Sequence, residues 1–66
     1  MKGQLTRLSE TRWRYVTSPR SYYVRRVGEG EYRVAWRTDG ADKDATANAD
    51  SPEKVAELID AGGGAW

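Results

Sequence analysis

The chain has 66 residues, with 11 Lys+Arg, 10 Asp+Glu, no His and no Cys. That is the size of one small domain, and it excludes a disulfide staple, a thiolate nucleophile, a histidine base and the usual zinc and iron–sulfur ligand sets. No apolar run nears the ~18–20 residues of a membrane span, and residues 1–7 lack a secretory apolar stretch. The expectation is a cytoplasmic, non-enzymatic binding domain with no membrane contact, no metal and no small-molecule cofactor.

In chain order, residues 4–8 are a weak strand candidate. Residues 12–16, Arg-Trp-Arg-Tyr-Val, alternate and read as a strand. Ser18-Pro19-Arg20-Ser21 reads as a turn, with Pro at its second position. Residues 22–27 are rich in strand formers, and Gly28-Glu29-Gly30-Glu31 reads as a hairpin turn. Residues 31–37, Glu-Tyr-Arg-Val-Ala-Trp-Arg, give the clearest strand pattern in the chain. Asp39-Gly40 opens a polar loop expected to run through Asp44, and residues 45–49 are either a short edge strand or irregular. Ser51 suits an N-cap, Pro52 the first helical position and Glu53 the positive end of the helix dipole. Val55, Leu58 and Ile59, with Ala56 beside them, make one apolar stripe, and Gly62 suits a left-handed stop. The expected domain spans 1–61, followed by a Gly-rich tail, 62–66, whose Trp66 either folds back as a plug, the favoured reading, or stays free as a peptide motif. The fold class is α+β: a small antiparallel sheet of three strong strands, with candidates for a fourth and fifth, and one C-terminal helix packed on one face.

A chain this short needs added stabilisation beyond an ordinary small core. Three Trp and four Tyr, with no Phe, point to a dense aromatic core. Alternation places Trp13, Tyr15, Tyr22, Val24, Tyr32, Val34 and Trp36 inward against Val55, Leu58 and Ile59. Arg26 shares the inward parity and is expected to reach water from the sheet end by its long stem.

The formal net charge of +1 hides an asymmetry. Residues 1–37 carry nine basic and three acidic side chains, whereas 38–66 carry two basic and seven acidic. The same alternation that fills the core puts Arg12, Arg14, Tyr23, Arg25, Arg33 and Arg37 on the opposite face. Guanidinium forks match phosphate oxygens and guanine edges, and an exposed Tyr can stack on a base. These six are the candidate site residues, for nucleic acid, DNA in the first place. Three antiparallel strands followed by one packed helix, over residues 12–61, resemble small DNA-reading domains of the integrase arm-binding type. The likeness is one of architecture, and it implies a sheet face laid into a groove.

A second class of function is a regulator or inhibitor docked on a larger protein. It would use the same Arg/Tyr face or the acidic segment 39–60. A third is a homodimer joined through an open sheet edge, in 12–16 or 45–49. No Ser has a His partner, and the Asp39, Asp42 and Asp44 loop lacks the pattern of a calcium loop. Catalytic residues are therefore not expected.

Overall fold

The computed structural model describes residues 2–17 and 20–62. Within them, β1 (Gln4–Arg7), β2 (Arg12–Thr17), β3 (Arg20–Gly28), β4 (Glu31–Thr38) and β5 (Ala41–Asn48) precede one helix, α1 (Pro52–Asp60). The strands form a single antiparallel sheet in the order β1-β2-β3-β4-β5, so each pairs with its neighbour in sequence. This is the expected α+β architecture, with the fourth and fifth candidate strands both formed, as β1 and β5.

Three local expectations change. The polar loop through Asp44 is a tight turn: Thr38 pairs with Ala41, and only Asp39 and Gly40 lie between them. Both have positive φ, 52° and 76°, the left-handed pair that matches a two-residue turn to the twist of its strands. An Asp-Gly pair is well suited to it, and residues 41–44 continue as β5. Ala at Gly40 should therefore cost about 1 kcal/mol, seen as a lower urea midpoint with an unchanged circular dichroism spectrum. Arg20 and Ser21 belong to β3, not to a turn, since they pair with Thr17 and Val16. Residues 12–16 are not an edge either: β2 is hydrogen-bonded to β1 on one side and β3 on the other, and β1 and β5 are the edges. The expected Ser18-Pro19 turn residues and the Trp66 plug lie outside the described residues.

The inward face is the expected one. Tyr15, Tyr22, Val24, Tyr32, Val34, Trp36, Ala47, Val55, Ala56 and Ile59 are buried, and Leu5, Trp13, Ala45, Ala49 and Leu58 pack around them. Aromatic side chains carry most of this volume. Trp13 meets Tyr32 edge to face at 6.0 Å, and Tyr22 meets Trp36 at 5.7 Å. Both spacings suit the quadrupoles of the rings. Arg26 is exposed, as its place near the sheet end requires.

A nine-residue helix does not persist alone in water. α1 persists by burying Val55, Ala56 and Ile59, and by its cap, in which Ser51 Oγ accepts from the Lys54 amide at 3.2 Å. Gly62 follows with φ 65°. The last helical residue has a second task. Asp60 Oδ1 accepts from the Tyr15 hydroxyl at 2.6 Å, and Asp60 Oδ2 accepts from the Lys2 amide at 2.8 Å. Tyr15 Oη in turn accepts from the Gly3 amide at 2.8 Å. One buried phenol thereby joins the helix end, β2 and the lead-in to β1.

Candidate functional site

Pairing fixes which outward side chains stand side by side. Arg12 on β2 lies opposite Arg25 on β3, and Arg25 lies opposite Arg33 on β4. In the next row, Thr6, Arg14, Tyr23, Ala35 and Asp44 run across all five strands. Arg37, opposite Asp42, extends the face toward the end of β4. All six candidate residues are exposed and all six share the face that the helix does not cover. The alternation of β2, β3 and β4 is the cause: each strand gives the core its aromatic and β-branched residues at every second position, so the intervening positions must face out.

Three arginines in directly opposed positions repel one another, and such contacts work against the sheet. The protein relieves part of this at the β4–β5 side. Arg33 Nη2 lies 3.2 Å from Asp44 Oδ2, and Arg37 Nε lies 3.9 Å from Asp42 Oδ1. Arg37 Nη2 also donates to the Gly40 carbonyl at 3.4 Å. These groups are well exposed, so each pair contributes ~1 kcal/mol at most. Among the described residues, Arg12, Arg14 and Arg25 have no ion pair. The face is therefore graded: uncompensated positive charge over β2 and β3, paired charge toward β5.

The acidic half of the chain accordingly does two things. β5 turns Asp42 and Asp44 onto the arginine face, where they neutralise its margin. α1 keeps Glu53 and Glu57 on the other side of the sheet, away from it.

Tyr23 stands at the centre of the graded face and is 54% exposed, an unusual state for a large aromatic in a domain whose other described Tyr side chains are 5% exposed or less. Its cross-strand neighbour Ala35 carries only a methyl, which leaves the ring open on that side. Shallow depressions of about 460 and 510 Å³ border Tyr23 and Ala35, one toward Leu8, Arg12, Arg25 and Arg33, the other toward Arg20, Ser21 and Arg37. Val16, Val27 and Leu8 are exposed as well, at 40%, 43% and 51%. Val16 and Val27 share the outward parity, and Leu8 rims the first depression.

Sequence reasoning missed Leu8 as part of this surface, and it missed that Asp42 and Asp44 share it. Ala35 was legible from its position between Arg33 and Arg37. The two acids were not, because they were read as loop residues.

Comparison of the chain with protein-family models, with curated proteins and with solved structures returns no match to any of them.

Proposed function

We propose that the protein is a non-enzymatic binding module that takes nucleic acid, DNA in the first place, on the outward face of its sheet. The observation that carries this reading is the row Arg12, Arg25 and Arg33 with Arg14 and Tyr23 beside it. Like charges held side by side, two of the three without a counter-ion among the described residues, fit a polyanion as the missing partner.

The test is titration of labelled single- and double-stranded DNA over a salt series. Affinity should fall as salt rises, with a log–log slope between about −2 and −4.5, as expected when three to five arginines displace counterions. The double reversal Arg25→Glu/Arg33→Glu should abolish binding and leave the fold intact, since both side chains point to solvent. No binding of either form at low salt removes this reading.

The second reading, a regulator docked on a larger protein, is favoured by Leu8, Val16 and Val27. Tyr and Arg are typical anchors of protein interfaces, and a protein partner would bury the apolar side chains exposed around them. Under it, DNA fails to bind and a protein co-purifies with the native chain but not with the double reversal.

A further inference from the structure

We propose that the ligand of this face is single-stranded DNA, laid across β2, β3 and β4 with one base stacked on Tyr23. The proposal rests on the nucleic-acid reading above and adds the form of the ligand.

Width is the first argument. Neighbouring strands lie ~4.8 Å apart, so three strands span about 10 Å and would fit a major groove ~12 Å wide. This sheet has five, which span about 19 Å between the outer backbones. β1 runs beside β2 from Trp13 to Val16, and β5 runs beside β4 along its whole length. A duplex groove does not admit such a face.

Charge is the second argument. A duplex resting on the rim of the face would bring a phosphate strand over β5, where Asp42 and Asp44 stand at 87% and 62% side-chain exposure. A single strand is narrow enough to stay over Arg12, Arg14, Arg25 and Arg33, clear of Asp42, and to meet Asp44 only where Arg33 already pairs with it.

Stacking is the third. In a duplex the bases are paired and stacked on each other, and a central exposed Tyr gains nothing from them. A single strand offers every base a free face, and aromatic rings on a basic surface are how such strands are held. Tyr23 has the opening for this, because Ala35 leaves one side of the ring clear and a depression lies on either side of the pair. Arg14, directly opposite Tyr23, and Arg25, two residues along the same strand, can lie flat on adjacent bases or hold their phosphates.

The experiment compares a fluorescent thymidine oligomer of about twelve nucleotides, within the ~4–16 typical of sheet-face binders, with a duplex and a ribo-oligomer of equal length. The single strand should bind at least about tenfold more tightly than the duplex. Tyr23→Ala should weaken single-strand binding about ten- to a hundredfold, Tyr23→Phe should restore it, and neither should change the weak duplex binding. On binding, the Tyr23 ring protons should shift upfield. Tyr23 lies outside the core, so these variants fold, and circular dichroism verifies it. Duplex binding as tight as single-strand binding, or indifference to Tyr23→Ala, overturns the proposal and leaves the nucleic-acid reading standing. Tighter binding of the ribo-oligomer overturns the choice of DNA. Absence of binding by all three removes both proposals.

Discussion

Trp36→Ala is expected to cost ~3–5 kcal/mol and to leave the domain largely unfolded in water at room temperature. Trp36 is 4% exposed, packs on Tyr22 at 5.7 Å and lies on β4, which is paired on both sides. Removing the indole opens a cavity that the neighbouring rings cannot fill, because each is held by its own strand. The cost is as large as the ~3–5 kcal/mol that a core of this size supplies in all. Urea unfolding followed by circular dichroism reads it directly. Wild type should show a cooperative transition, and the variant no folded baseline. Trp13→Ala, at a half-buried position, should lose less and keep a measurable transition. A loss at Trp36 below about 1.5 kcal/mol would mean that the aromatic layer can repack and that the core is not what limits stability.

The second large effect is expected at Tyr15. Its ring is fully buried and its hydroxyl both donates to Asp60 and accepts from Gly3. Tyr15→Phe keeps the ring and removes the oxygen, which should cost about 1.5–3 kcal/mol, the range for a hydrogen bond to a charged group. The pairing also sets a pH dependence. Burial, then the bond to Asp60, holds the Tyr15 phenol above its ordinary value of 10.0. The Tyr15 hydroxyl, then the Lys2 amide, holds the Asp60 carboxyl below its ordinary value of 3.8. A carboxylate lowered by folding contributes stability that is complete above the ordinary value and lost as pH falls through the folded one. A phenol raised by folding contributes stability that is complete below the ordinary value and lost once the unfolded chain can ionise. Stability should therefore be flat between about pH 5 and 9 and fall at both ends. Tyr15→Phe should flatten both limbs and Asp60→Asn chiefly the acid one. Urea midpoints at acid, neutral and alkaline pH would show it, and an unchanged acid limb in Asp60→Asn would remove this link as its source.

Asp60 also shows why the link was out of reach of the sequence. A carboxylate in the last turn of a helix opposes the helix dipole, so on local grounds it is a poor choice. Its partner Tyr15 is 45 residues away. Nothing in the spacing joins them until the sheet and helix are assembled.

The strands β2, β3 and β4 were legible because most of their inward positions are aromatic or β-branched, whereas their outward positions are mostly Arg, Tyr, Ala or other polar residues, with Val16 and Val27 the apolar exceptions. That contrast also exposed all six candidate site residues. β5 was not legible in its first half. Asp42, Lys43 and Asp44 are poor strand formers by propensity, yet pairing with β4 and the Asp39-Gly40 turn hold them extended. The helix was legible from Ser51, Pro52 and its apolar stripe, since caps and periodicity are local signals. The misread segment had a consequence for function. Taking 41–44 as loop removed two carboxylates from the candidate face and left a narrower, more basic surface than the molecule has.

β5 is also an edge, and an edge is a template on which another chain can add a strand. Its eight residues contain no Pro, and its second half, Ala45, Thr46, Ala47 and Asn48, carries no charge. What separates this strand from a polymerising one is the triplet Asp42, Lys43 and Asp44, which acts as a gatekeeper against fibre-like growth. The two carboxylates that dull the rim of the arginine face are thus also charges that make this edge a poor template for an added strand. A variant stripped of them to strengthen binding would gain positive charge and lose its protection against aggregation in the same step.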